Sequence, residues 1–279
     1  MADTKVISVI QMKGGVGKTS CAVNLAAVLA KNFDQRVLLA DFDPQTNATL
    51  SVMHEKDWLK WDRAHGTMAE VLGMEKEKKG EKASQNLKDY IVKDVCDRIP
   101  TLDLLPSHLK MTFIDTVLAS QPGRERIFSR KLKKIKDQYD VIICDCPPSL
   151  MSVTQNALCA SNYFLIPMQP DYLSTVGLKL VLDRVSYLKK SLQLSVRCLG
   201  VVFTRVRGYL NYHAITMEEV KNKSPFKKLH FFDTFIPENI TLAEAPMQNL
   251  PINVYDSSAP AAYAFRALGA EVAGRLSLV

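Results

Sequence analysis

The chain has 279 residues, of which 47% are hydrophobic and 23% charged, with 12 Gly and 13 Pro. That composition excludes a disordered, collagen-like or low-complexity chain. The net charge of +7 suits a polyanionic partner without demanding one. In chain order, short apolar runs alternate with longer stretches at helical spacing. Strands are predicted over Val6–Ile10, Val37–Ala40, Leu102–Leu105, Val141–Cys144, Tyr163–Pro167, Val196–Thr204 and Phe231–Ile236. Helices are predicted over Lys18–Lys31, Thr67–Leu72 with Thr67 as N-cap, Gly123–Gln138, Asp171–Leu192, Tyr209–Lys223 and Ala259–Leu276. Strands that are apolar throughout are buried on both faces, and helices between them make βαβ crossovers. The expected fold is therefore α/β: one doubly wound, mostly parallel twisted sheet with helices on both faces, spanning 1–279 as one domain. The polar stretch Glu75–Lys88 reads as a solvated, charged insertion. The six cysteines form no CxxC pair, and no leader-like or span-length apolar run occurs, so a cytoplasmic chain with reduced thiols is expected.

The most informative segment is Gln11–Ser20, QMKGGVGKTS, lying between a predicted strand and a predicted helix. That context is the one in which a glycine-rich loop cradles phosphate. Successive glycines let backbone N–H groups turn inward to form an anion nest, and the following helix adds its N-terminal dipole. Lys18 is placed to reach β- and γ-phosphates, and the Thr19 hydroxyl to ligate Mg²⁺. The spacing departs from GxxxxGK[ST] at one point: Met12 stands where a glycine is wanted, and Lys13 directly precedes Gly14-Gly15.

This loop resembles the deviant Walker A motif of the ParA/MinD ATPase superfamily, a group within the P-loop NTPases. The likeness continues through VLLADFDPQTNATL (Val37–Leu50), similar to the switch I segment of the ParA/Soj branch. It continues through YDVIICDCPPSL (Tyr139–Leu150), similar to Walker B and switch II, and through IPENITLAEAP (Ile236–Pro246) and LPINVYD (Leu250–Asp256). Only residues from about Met53 to Pro100 match weakly.

The resemblance implies a slow, partner-stimulated ATPase with ATP and Mg²⁺ as cofactors. The nucleotide would be held by Lys13, Gly14, Gly15, Val16, Gly17, Lys18, Thr19 and Ser20, with the base near Asn211 and Pro237. Lys13 would reach the partner's phosphates in an ATP-sandwiched homodimer. Asp43 would orient the attacking water, and Thr19, Asp41 and Asp145 would serve the metal. A carboxylate ending a strand of a parallel sheet sits at its ligand edge, which agrees with those assignments. Asp41 or Asp43 could instead be a turn residue before Pro44, Asp145 a buried cap, Lys13 an exposed lysine, and Asn211 a helix-start residue. Cys144 and Cys146 flank Asp145; with no second pair, they read as small buried residues rather than cluster ligands.

Two partners separate the branches of the superfamily. A membrane-binding branch ends in a basic amphipathic helix, whereas Ala259–Val279 carries only Arg266 and Arg275 as cations, so no membrane partner is expected. The ParA branch binds DNA without sequence preference, which requires clustered cations. The candidates are Arg205, Arg207, Lys221, Lys223, Lys227 and Lys228, with the basic run Arg124–Lys136 as a second surface or merely a solvated face. Tyr209 and Glu238 stand where a known relative has arginines, so the DNA surface is expected to be shifted. The implied function is segregation or positioning of a plasmid, chromosome or protein cargo on the nucleoid, with a ParB-like or other stimulating partner. A protein-binding NTP switch or a positioning ATPase that never touches DNA is the alternative. A metabolic enzyme on the same loop would need a substrate-pocket signature, and none is evident.

Overall fold

The computed structural model describes residues 3–75 and 84–278. Of the expected insertion at 75–88, residues 76–83 lie outside the described residues. In its described end, 84–88, Gln85 and Lys88 are exposed and Leu87 alone is buried, opening a 3-10 turn whose last residue, Tyr90, is also buried in the core.

Six strands form one sheet: β1 (Lys5–Val9), β2 (Val37–Asp41), β3 (Leu102–Leu105), β4 (Val141–Asp145), β5 (Tyr163–Met168) and β6 (Arg197–Phe203). Their order is β3-β2-β4-β1-β5-β6, and every pairing is parallel. The helices are α1 (Lys18–Phe33), α2 (Asn47–Leu50), α3 (Glu55–Ala64), α4 (Met68–Val71), α5 (Ile114–Leu118) and α6 (Ile127–Leu132). They continue with α7 (Ser152–Ala160), α8 (Tyr172–Ser191), α9 (Asn211–Asn222), α10 (Ile240–Glu244), α11 (Ile252–Tyr255) and α12 (Pro260–Leu276).

Alternate strand residues feed two cores, because a strand sends successive side chains to opposite faces. Ile7, Val9, Leu39 and Ile143 pack with α1 and α12 on one face. Val6, Ile10, Leu38 and Ile142 pack with α6, α7 and α8 on the other. Cys144 and Cys146 are fully buried in the second core. The strand order reverses across β4 and β1, and such a reversal opens a crevice at the carboxyl ends of the strands. The register places Val9, Asp145 and Asp41 abreast at that edge.

Local chemistry explains the element ends. Thr67 caps α4 in a reciprocal box: its hydroxyl accepts from Ala69 N–H, while Glu70 Oε2 accepts from Thr67 N–H at 2.7 Å. Two expected elements differ from the structure. The helix over 123–138 is broken into a 3-10 turn at Arg124–Arg126, α6, and a second 3-10 turn at Lys136–Gln138. Its cause is a side chain from α7. Asn156 Oδ1 accepts from Phe128 N–H at 3.1 Å and Asn156 Nδ2 donates to Arg124 C=O at 2.8 Å. The amide thus takes both partners of one helical hydrogen bond. The strand over 231–236 is reduced to one bridge, Val201 with Phe231. Glu271 on α12 accepts from Asp233 and Thr234 N–H groups at 3.0 and 2.9 Å, drawing that stretch off the edge of β6.

Candidate functional site

β1 delivers the chain to the crevice, and the loop turns there on left-handed glycines, Gly15 at φ 73° and Gly17 at φ 83°. Only glycine adopts that backbone without strain. Gly17 precedes α1, whose first turn has neither a side-chain cap nor an acidic residue. Its amide donors are therefore open to an anion.

The loop forms one end of a cavity of about 620 Å³, within the range of small-molecule sites. Gly14, Gly15, Gly17, Lys18, Thr19, Ser20, Asp43 and Pro148 line the polar end. Ile236, Pro237, Ile240, Leu242, Ala243 and Phe265 line the apolar end. A phosphate-binding end joined to an apolar end fits a nucleotide in shape and chemistry. Lys18 is nearly buried, and its Nζ donates to Lys13 C=O at 3.2 Å. Burial lowers its pKa, against the pull of Asp145 and Asp43.

Three carboxylates stand at the strand ends, and the structure separates them. Asp43 lines the cavity and accepts from Gln45 N–H at 2.9 Å. Asp41, expected beside the metal, is fully buried and turned to the chain's own donors. Its Oδ1 accepts from Asp43 N–H, and its Oδ2 from the Thr49 N–H and O–H groups at 2.8 and 2.7 Å. Burial pushes its carboxyl up to about 7. Asp145 is fully buried, and neither of its oxygens has a hydrogen-bond partner among the described residues. Burial first, and the charge of Asp41 second, hold its pKa well above the carboxylate range. An orphaned buried carboxylate beside a threonine hydroxyl is a donor set suited to a hard cation such as Mg²⁺.

Lys13 does not line the cavity. Its Nζ donates to Asp171 Oδ2 at 2.7 Å and to Ser174 Oγ at 3.1 Å, tying the loop to the start of α8. Burial alone would raise the Asp171 carboxyl, but Lys13 and the donors of Ser174 outweigh it and hold it low. Val16 is buried, and its C=O accepts from the Thr204 hydroxyl at 2.7 Å. Asn211 is exposed at the start of α9 and is not among the lining residues.

The basic candidates divide. Arg205 lines the cavity and donates to Gly15 C=O at 2.9 Å, and both Arg205 and Arg207 are ion-paired with Glu238. Lys221 pairs with Glu218 on its own helix. Lys223, Lys227 and Lys228 form no ion pair among the described residues. Sequence reasoning missed Thr204, Asn239 and the apolar wall after Pro237. Asn239, Ile240, Leu242 and Ala243 fall within the family-like segment Ile236–Pro246, but nothing in their own types marks a cavity wall, and Thr204 and Phe265 lie outside every such segment.

A parallel sheet in this order, with a glycine loop feeding α1 and carboxylates ending β2 and β4, defines a P-loop nucleotide-binding fold of the deviant-lysine type. Residues 4–198 match the family described as "AAA domain". The sporulation initiation inhibitor protein Soj of Bacillus subtilis is 34% identical, over 96% of this chain and 98% of that one. The chromosome partitioning protein ParA of Myxococcus xanthus is 32% identical, over 97% and 88%. The chain belongs to the ParA/Soj family of partition ATPases within the ParA/MinD superfamily.

Among solved structures, cobyrinic acid a,c-diamide synthase from Mycobacterium smegmatis, with a bound ATP analogue and magnesium, superposes with a TM-score of 0.78 at 26% identity. That match covers 96% of this chain and 93% of the other. McdA from Cyanothece superposes with a TM-score of 0.80 at 22% identity, covering 99% and 98%, a likeness of fold. No helix among the described residues is long and apolar enough to cross a membrane.

Proposed function

We propose that this chain is a Mg²⁺-dependent ATPase that dimerises around bound ATP and, in that state, binds DNA without sequence preference. Its cycle segregates or positions a plasmid, chromosome or protein cargo on the nucleoid, and a ParB-like or other partner stimulates slow hydrolysis. The observation that carries the reading is the cavity that gathers Lys18, Thr19 and Asp43, with the buried Asp145 carboxylate close to Lys18 and Thr19. The Bacillus and Myxococcus relatives support the cellular role, and the nucleotide-bound Mycobacterium structure supports the occupant.

The residues divide the work. The loop amides and Lys18 hold the β- and γ-phosphates, and Asp43 orients water in line with the γ-phosphate. Thr19 and Asp145 would hold Mg²⁺, and the ion would supply charge neutralisation on the phosphates. Lys13 leaves Asp171 to reach the partner's phosphates. Pro237 and the apolar residues after it bound the base; Asn211 would have to approach it from α9.

The test is DNA binding by the purified protein with ATP, with ADP and without nucleotide, at two salt concentrations. Binding that requires ATP and weakens steeply with salt is expected. ATP-dependent dimers that bind no DNA at either salt would replace this reading with a positioning ATPase or protein switch that works without DNA. The ion-pairing of Arg205 and Arg207 by Glu238 is the observation that favours that alternative.

A further inference from the structure

We propose that Thr49 and Ser107 are positioning residues for Asp43, forming a buried relay from the end of β3 to the loop after β2. The proposal rests on the reading of Asp43 as the water-orienting group. Neither residue lines the cavity and both are fully buried, so neither touches the nucleotide.

The loop from Asp41 to Thr46 has little regular structure of its own, and Thr46 sits in the left-handed region at φ 58°. Its shape is set by hydrogen bonds from elsewhere. Asp43 is gripped at both ends of its backbone. Its N–H donates to Asp41 Oδ1 at 3.0 Å, and its C=O accepts from Thr46 N–H at 2.9 Å and from the Ser107 hydroxyl at 2.7 Å. Asp41 is in turn fixed by Thr49, whose N–H and O–H both donate to Asp41 Oδ2. The Thr49 hydroxyl oxygen then accepts from Ser107 N–H at 3.0 Å.

Ser107 therefore closes a ring. Its amide orients the Thr49 hydroxyl that orients Asp41, and its own hydroxyl holds the Asp43 carbonyl. Its C=O accepts from Trp58 Nε1–H at 3.0 Å, anchoring the ring to α3. A dry ring in which each member is both held and holding fixes geometry more firmly than separate bonds do. A water-orienting carboxylate has to be held to within a fraction of an ångström, which is what such a ring supplies. Ser107 lies outside every phosphate-binding motif of the chain, 58 residues from Thr49 and 64 from Asp43.

The test is steady-state ATP hydrolysis by the full chain carrying Thr49→Val, Thr49→Ser, Ser107→Ala or Asp43→Ala, alongside binding of a fluorescent ATP analogue. Thr49→Val keeps the shape and removes the hydroxyl; Ser107→Ala removes the grip on the Asp43 carbonyl together with a contact to Met111 Sδ, and leaves the Ser107 amide on Thr49 in place. Thr49→Val is expected to lower kcat roughly 10- to 100-fold, the size of one hydrogen bond lost at a buried carboxylate, and Ser107→Ala roughly 3- to 10-fold, the size of one lost at a neutral carbonyl. KM and analogue binding should stay within about twofold, since ground-state binding is untouched. Thr49→Ser, which restores the hydroxyl, should recover most of kcat.

Unchanged kcat in both Thr49→Val and Ser107→Ala overturns the relay, as does a loss of kcat matched by an equal loss of nucleotide binding. If Thr49→Val fails to fold, Ser107→Ala and Thr49→Ser decide the matter by the same criteria. Normal turnover by Asp43→Ala would overturn the reading of Asp43 itself. An inactive Asp43→Ala beside normal Thr49→Val and Ser107→Ala overturns only the relay.

Discussion

Asp145 is a carboxylate placed at a cost to the fold. It is fully buried, lacks hydrogen-bond partners among the described residues, and faces Asp41 across the β2–β4 register. Burial and that neighbour hold its pKa well above the usual range, and burial lifts Asp41 to about 7. The sign follows from proton counting. A carboxyl raised in the folded state keeps its proton where the unfolded chain has already lost it. Between about pH 4 and pH 7 the folded state therefore binds more protons, and stability falls as pH rises. The nucleotide-free protein is expected to melt lower at about pH 8 than at about pH 5. Asp145→Asn removes one of the two acids, so its melting temperature should depend less on pH and be higher at neutral pH. The same variant should lose Mg²⁺-dependent nucleotide binding. A melting profile for Asp145→Asn as steep as that of the unsubstituted protein would show that the slope arises elsewhere. Stability given up at a binding site is the expected pattern where a charge is held ready for a ligand.

At the scale of elements, Glu238 governs the charge of one wall. It stands just past the bridge that pairs Val206 with Pro237, and it pairs with both Arg205 and Arg207. With the carboxylate in place, two of the six basic candidates for the DNA surface share one counter-charge, which cancels one of their two positive charges. Glu238→Gln should free both guanidinium groups, strengthen ATP-dependent DNA binding and steepen the salt dependence by about one phosphate contact or more. An unchanged salt slope in Glu238→Gln, with weakened binding on Lys227→Glu and Lys228→Glu, would place the contact at the 3-10 turn Phe226–Lys228 that follows α9.

The same elements show what the sequence makes legible. The strands are readable because both faces are buried and the runs are apolar throughout, as in Val141–Cys144. The glycine loop was readable because its backbone requirement admits few other residues. Thr67 was readable as a cap because the box is local, with Glu70 three residues on. The broken helix at 124–138 and the lost strand at 231–236 were not, because their causes lie far off in the chain: Asn156 for one, Glu271 for the other. The Ser107 ring escaped for the same reason, since no local pattern ties a serine after β3 to a carboxylate after β2.

At the scale of the whole molecule, the strand order brings every candidate catalytic group to one edge, the edge that the proposed dimer would cover. Lys13, next in the chain to the cavity-lining Gly14, spends its charge on Asp171. Exposed apolar side chains accompany it: Met12 on the loop, Met151 after Pro148, and Tyr172, Leu173 and Val176 at the start of α8. Apolar groups gathered around a polar site are typical of a surface that is covered in the working state. Two triphosphates brought face to face repel each other unless cations are supplied from both sides, and in the proposed dimer Lys13 would supply them after leaving Asp171. In Mg²⁺ and ATP the protein is therefore expected to run as a dimer by light scattering, with a melting temperature that rises with protein concentration as well as with ATP. Lys13→Gln should bind ATP with near-normal affinity, because Lys18 and the loop amides remain, yet stay monomeric and lose the concentration dependence. Normal ATP-dependent dimers of Lys13→Gln would remove the trans role of this lysine and leave its bond to Asp171 as a structural tie between the loop and α8.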